Sequence, residues 1–325
     1  MLHSLINRPI LSDNCRARQS VKFPASMLKY NGGYMLPQNI DESVFPMVRH
    51  FIYNTDIGQN FLVDRSVVDF IVKRSAPGEG DVVLEIGPGD GVLTNGLLKT
   101  PLERLYTVEV DERLRAGLER IASRDSRCVC YWGDAVRFDY RSLPDPPTKI
   151  IANLPYHITT PLMWAFLEQL VPMGVGYMML MVQLESADRI TSREGSRERT
   201  PLGITIEAMG SAQIVRKVPP TAFHPRPRVS SAIIEIKIER DRDIANDSAW
   251  RALLARSFAQ RRKTLVNNWC AGYADSGMTR EMALAILEAH GLKPTARAEE
   301  LPLGAWRELA ASPEFAPKIK NAENK

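Results

Sequence analysis

The passage from Asp81–Ile86 into Gly87-Pro88-Gly89-Asp90-Gly91 restricts the fold of this chain more than any other feature. An apolar run of strand length ends in a loop with glycine at every second position, and a helical pattern, Val92–Leu98, follows at once. Strand, glycine turn and helix in that order open a doubly wound α/β sheet, in which ligands sit beyond the carboxyl ends of the strands. The alternation continues on either side. Helix Ser66–Arg74 comes before; strand Leu105–Val110, helix Glu112–Ser123 and strands Val129–Trp132 and Lys149–Ala152 come after. Helix Pro161–Leu170, strand Tyr177–Gln183 and helix Glu185–Ile190 complete the series. Crossovers of this length imply a parallel sheet with helices on both faces. Past Ser192 the pattern changes: strands Ser211–Val218 and Ser230–Ile238 flank a proline-rich loop, Pro219–Pro227. Beyond Asp247 everything reads as helix, over Trp250–Phe258, Arg262–Cys270, Arg280–His290 and Leu303–Ala311. The expected organisation is an N-terminal extension over 1–50, an α/β domain over 51–245 and a small all-α domain over 246–325.

Carboxylates end the next two strands. Glu109 stands 22 residues after Gly87, the spacing at which an acid accepts hydrogen bonds from a ribose diol. Asp134, after Gly133, is placed to accept from an adenine amino group. The glycine spacing is not the dinucleotide fingerprint, and a sulfonium methyl donor carries no pyrophosphate. These points favour S-adenosylmethionine over NAD, against the plainer reading of a tight structural turn. The fourth strand ends in Asn153-Leu154-Pro155-Tyr156. An exocyclic adenine amine is a poor nucleophile because its lone pair is delocalised. The Asn153 side-chain carbonyl and the Leu154 backbone carbonyl are candidates to accept both amine hydrogens, aiming the lone pair at a methyl group. Pro155 stiffens the turn, and Tyr156 offers a face to an extruded base. A capped strand end with a packed tyrosine is the competing reading. His157 has no partners at metal-ligand spacing, and no metal site is expected.

Charge and cysteine content bound the surroundings. The net +4 divides unevenly: +4 in residues 1–40, −6 in 41–192, +7 in 193–263 and −1 in 264–325. An acidic body beside a basic band points to a polyanionic partner. Arg193, Arg197 and Arg199, then Arg226 and Arg228, then Arg261, Arg262 and Lys263 make up its clusters. Ordinary solvated faces are the alternative. Of the four cysteines, Cys128 and Cys130 flank Val129 in a strand and are expected to face opposite ways, forming neither a CxxC nor a zinc pair. Free thiols imply a reducing compartment. No run approaches 18 apolar residues, so no membrane association is expected. The first 34 residues are basic enough to raise an organelle transit segment as an alternative to a cytoplasmic location.

Taken together, these motifs resemble the KsgA/RsmA-type small-subunit ribosomal RNA adenine N6-dimethyltransferases. The resemblance runs from about residue 55 to 310. Gly58–Leu62, Val83–Thr94, Val108–Asp111, Gly133–Ala135, Asn153–Pro161, Phe223–Ala232 and Phe258–Leu265 carry it. It implies a Rossmann-like S-adenosylmethionine-dependent methyltransferase sheet with a helical C-terminal domain that recognises RNA. The implied activity is dimethylation of two adjacent adenosines near the 3′ end of small-subunit (16S) rRNA, within the pre-30S subunit; a monomer is the default expectation, because an RNA-facing surface already accounts for the uneven charge. Gln59, Asn60, Leu62, Gly87, Gly89, Glu109, Asp134 and Asn153 would line the donor pocket. Asn153 and Tyr156 would hold the target adenine, with Phe223 on its other side, and no general base is needed. Arg226, Arg228, Arg261, Arg262 and Lys263 would meet RNA phosphates. Leu184, where the family commonly has lysine, and Arg199-Thr200-Pro201-Leu202, where it usually has a Tyr-Gly pair before the leucine, depart from the pattern. Both are expected at the rim of the site. The macrolide-resistance methyltransferases of large-subunit rRNA share the Asn-Leu-Pro-Tyr motif. Gln260–Leu265 and Arg297–Leu301 look like the small-subunit type. A non-catalytic RNA-binding factor and an NAD oxidoreductase are the remaining alternatives.

Overall fold

The structure is a computed structural model that describes residues 60–315. The extension over 1–50, Gln59 and residues 316–325 lie outside the described residues.

A seven-stranded sheet organises the chain. Strands β2 (Val82–Ile86), β3 (Arg104–Glu109), β4 (Cys128–Trp132), β5 (Lys149–Asn153) and β6 (Tyr177–Gln183) are parallel. Strands β7 (Gly210–Val218) and β9 (Ser231–Ile238) close one edge antiparallel, giving the order β4-β3-β2-β5-β6-β9-β7. Two-residue strands β1 (Phe61–Leu62) and β8 (Phe223–His224) pair separately. Alternate side chains of the sheet enter two different cores, as the period of two demands. Leu84, Ile86, Val108, Ile150, Leu180 and Ile234 enter one. Val83, Leu105, Ile151, Met179, Met181 and Ile233 enter the other, against Val67, Val68 and Ile71 of α1 (Arg65–Ser75) and Leu93 and Leu97 of α2 (Val92–Leu97). Both faces are therefore covered, and the predicted strands read as nearly continuous apolar runs for that reason.

Local chemistry sets the ends of these elements. Asp64 accepts the Ser66 N–H at 2.8 Å to start α1, and Lys73 and Arg74 occupy its last turn, where the helix dipole favours cations. The predicted Glu112–Ser123 helix begins as a 3₁₀ turn, Glu112–Leu114, before α3 (Arg115–Ala122). The predicted Pro161–Leu170 helix is α4 (Thr159–Ala165) followed by a π-helical turn, Phe166–Leu170, and the short α5 (Val171–Met173).

Two expectations fail. Cys128 and Cys130 are two residues apart on β4, so they share one face of the sheet, and both pack on the same core as free thiols. The region after α6 (Leu184–Thr191) contains a helix that the sequence pattern did not predict, α7 (Pro201–Met209). It is buried nearly all round, so its apolar residues carry no one-sided periodicity. Ile204 and Ala208 of α7 join Trp250, Leu253, Trp269, Leu287 and Trp306 in a third core. That core gathers α8 (Ser248–Ser257), α9 (Leu265–Gly272), α10 (Arg280–Ala289) and α11 (Leu303–Ala311).

Candidate active site

The sheet order reverses between β2 and β5, and the loops that follow these two strands part there to form a cleft. The glycine loop follows β2 and Asn153-Leu154-Pro155-Tyr156 follows β5, so the two strongest sequence motifs face one another. A Cβ at Gly87 would lie 3.8 Å from the Pro155 ring. Gly87 and Gly89 have φ of 63° and 61°, a region that L side chains rarely adopt. At Gly89 the aromatic ring of Phe61 would stand 3.1 Å from an added Cβ, so backbone and ring close one wall together.

Asn60, Leu62, Gly87, Gly89, Glu109, Asn153, Leu154, Pro155 and Tyr156, all singled out from sequence, line this cleft. Glu85, Asp90, Phe61, Val110 and Leu114 line it too, without having been assigned a role. Two predicted residues are not among those that line the cleft. Asp134 is half exposed; its carboxylate accepts the Val136 N–H at 2.9 Å and stands 3.8 Å from Arg137. Phe223 is 3% exposed, registered opposite Leu62 in the β1–β8 ladder and packed in the α1-side core, not among the lining residues. Gln59 lies outside the described residues.

The Asn153 side-chain oxygen is buried and has no hydrogen-bond partner. Leaving such an acceptor unpaired costs about 1–3 kcal/mol, which an N–H donor brought by a ligand relieves. Its neighbours are fixed around it. The Leu154 N–H donates to Met181 O at 3.0 Å, and the Thr159 hydroxyl donates to Pro155 O at 3.2 Å. The Tyr156 hydroxyl shares a 2.6 Å hydrogen bond with the fully buried Ser231 hydroxyl, which pins the ring at the cleft wall. Ser231 lies inside the Phe223–Ala232 motif, but no spacing reveals its bond to a tyrosine 75 residues away, which it meets only through β9.

Glu109 accepts N–H donors from Gly89 at 3.2 Å and from Val110 and Asp111 at 2.9 Å each. A carboxylate offers about four lone-pair positions, so three backbone bonds leave room for roughly one ligand hydroxyl. The Glu85 carboxylate takes the Thr94 hydroxyl at 2.7 Å. Burial pushes the carboxyl of Glu85 up to about 8 and that of Asp90 up to about 6, and it raises Glu109 as well. Among the described residues, the lining of the cleft contains three acidic side chains, of which Glu85 holds its proton at neutral pH, and no arginine or lysine. Such a cleft favours a cationic ligand over an anionic one.

The basic clusters divide. Arg226, Arg228, Arg262 and Lys263 are exposed, and Arg262 and Lys263 sit on the turn before α9, not in a helix. Arg261 is exposed but donates to the backbone carbonyls of Arg197 and Arg199. Arg199 itself is fully buried and pairs with Glu207 at 2.9 Å, with Arg193 at 3.9 Å from the same acid. The expectation that Arg199 stands at the rim of the site is corrected, because it is fully buried; Leu184 begins α6, partly buried against the main core, with its N–H donating to Ser230 O at 3.0 Å. Sequence alone could not distinguish a buried arginine under α7 from a surface one, because α7 was not foreseen.

A doubly wound sheet with a glycine loop and an Asn-Leu-Pro-Tyr turn at its switch point defines a Rossmann-like methyltransferase. The chain belongs to a particular family of these, whose model, ribosomal RNA adenine dimethylase, matches residues 50–306. It is 35% identical over 269 residues to a ribosomal RNA small subunit methyltransferase A of Lachnoclostridium phytofermentans, across 80% of this chain and 91% of that one. It is 39% identical over 246 residues to the protein of that name from Rubrobacter xylanophilus, across 75% and 89%. Among solved structures, a dimethyladenosine transferase from Plasmodium falciparum has a TM-score of 0.65 at 24% identity, over 77% of this chain and 95% of that one. The 23S rRNA methyltransferase ErmE has a TM-score of 0.58 at 24% identity, over 77% and 98%. These two likenesses establish the fold.

Proposed function

We propose that this protein dimethylates the N6 amines of two adjacent adenosines near the 3′ end of small-subunit (16S) rRNA, acting as a monomer on the pre-30S subunit in the cytoplasm with S-adenosylmethionine as donor. The observation that carries this reading is the buried, unpartnered Asn153 side-chain oxygen in the cleft beside the glycine loop. S-adenosylmethionine supplies its methyl on a cationic sulfur that departs as a neutral thioether.

The chain's own residues position the partners. Glu109 and the Gly87–Gly89 backbone hold the nucleoside end of the donor. Asn153 accepts one hydrogen of the target amine and the Leu154 carbonyl the other, which makes the nitrogen pyramidal and turns its lone pair toward the methyl carbon. Tyr156, tied to Ser231, packs on the extruded base. The methylated amine then loses a proton to water, so no side chain need act as a general base. Phe223, buried opposite Leu62, would have to leave its present packing to stack on the second face of the base. The choice of small-subunit RNA rests on Gln260–Leu265 and Arg297–Leu301 and on the names of the bacterial relatives.

The test is Asn153→Ala. Removing a positioning acceptor is expected to lower methyl transfer by roughly 10²–10³-fold, while leaving RNA affinity within about two-fold. A variant with wild-type turnover would contradict the positioning role.

A further inference from the structure

Among the described residues, one buried carboxylate oxygen has no partner, and it belongs to Asp90 in the cleft. The other two acids of the lining differ: Glu85 takes the Thr94 hydroxyl, and Glu109 takes three backbone donors. Asp90 lies between Gly89 and Gly91, both at positive φ, and the Gly91 N–H donates to Pro88 O at 2.9 Å, so the backbone around it is fixed. One of its oxygens, Oδ1, accepts the Val92 N–H at 3.3 Å. The other, Oδ2, is the unpartnered one. A buried carboxylate oxygen in a cavity without a protein cation calls for a cation from the ligand.

S-adenosylmethionine carries two positive groups, the sulfonium and the α-ammonium. They differ in what the reaction does to them. The sulfonium charge disappears on methyl transfer, so a carboxylate against it would stabilise the ground state more than the transition state and slow the reaction. The ammonium keeps its charge throughout. An acid facing the ammonium anchors the donor without opposing the chemistry.

We propose that Asp90 binds the α-ammonium group at the amino-acid end of the methyl donor, an assignment that rests on reading the cleft as the donor site. It predicts uniform binding: the residue sets affinity for donor and by-product alike and leaves the chemical step alone.

Calorimetric titration of the full chain with three ligands tests this. S-adenosylhomocysteine keeps the ammonium but has no sulfonium, its desamino analogue has neither, and 5′-methylthioadenosine lacks the whole amino-acid end. Asp90→Asn is expected to weaken S-adenosylhomocysteine by about 10–50-fold, as befits a lost charge-assisted hydrogen bond, and to leave 5′-methylthioadenosine within about two-fold. In the wild type, removing the amino group from the ligand should cost as much as the substitution does, and in the variant it should cost almost nothing more. For methyl transfer, the KM for S-adenosylmethionine should rise with kcat within about two-fold. Full additivity of the two losses, an equal loss for 5′-methylthioadenosine, or a wild type indifferent to the amino group would each overturn the assignment. A wild-type chain that binds none of the three ligands would instead overturn the reading of the cleft as a donor site.

Discussion

Asn153, Glu85 and Tyr156 share a property: each is a polar group held at or below the surface of the cleft, at a cost, by the strands behind it. Glu85 gives this a sign. Burial raises its pKa from an ordinary 4.5 to about 8, so the folded state holds the proton more tightly than the unfolded chain. Its contribution to stability is therefore full below about 4.5 and is lost as pH rises toward about 8. Glu85→Gln, which keeps an acceptor for Thr94, should flatten this fall, and melting curves between these two pH values would detect it. An unchanged slope would mean that the carboxyl is ionised in the folded protein. Tyr156→Phe removes the hydroxyl bonded to Ser231 and leaves that buried group unpaired, a loss of about 1–2 kcal/mol on chemical denaturation. The ring survives, so transfer should fall far less than in Asn153→Ala. Every residue of Asn153–Tyr156 was singled out in sequence as one consecutive motif, and all four line the cleft. Asp90 was overlooked as a lining residue because its meaning depends on which way one carboxylate oxygen points, and no spacing encodes that.

At the level of elements, β2 to β6 were readable because strands buried on both faces leave long apolar runs between turn residues. Helix α7 was not, although Thr200 and Pro201 are a cap and first-turn pair that marks a helix start; Thr200 accepts the Gly203 N–H at 3.2 Å. With α7 missed, the burial of Arg199 beneath it was missed as well. Strands β1 and β8, two residues each, are below the length at which alternation means anything. Element packing also depends on a polar junction that no local pattern reveals. Glu235 of β9, 4% exposed, binds Arg74 of α1 through both oxygens, at 3.2 and 2.9 Å. It also accepts from Tyr177 at 3.0 Å and Gln213 at 2.7 Å. The hydrogen bond from Arg74 is foremost in lowering its pKa to about 2. The contribution it makes is present above the unfolded value of 4.5 and is lost as pH falls toward about 2. Glu235→Ala should destabilise the fold at neutral pH, and the deficit should shrink on acidification through that window. A deficit independent of pH would show that packing, not charge, holds the junction.

For the whole molecule, the net charge of +4 misleads, since residues 1–40 hold all of it and the remainder sums to zero. A neutral body binds a polyanion by where its cations stand. The +7 band over residues 193–263 is not uniformly available: Arg199 is buried and Arg261 is drawn onto backbone carbonyls, whereas Arg226, Arg228, Arg262 and Lys263 remain exposed. Replacing Arg226 and Arg228 together by glutamine should weaken RNA binding and reduce the slope of log K against log salt by about one for each phosphate no longer neutralised. Arg199→Gln should instead act on stability and leave that slope alone. The decisive measurement is transfer of radiolabelled methyl groups to small ribosomal subunits from a strain that lacks the modification. The expected result is label in small-subunit RNA that digests to N6,N6-dimethyladenosine, and none in large subunits supplied in the same amount. Label confined to large-subunit RNA, or RNA binding without transfer, would contradict the account.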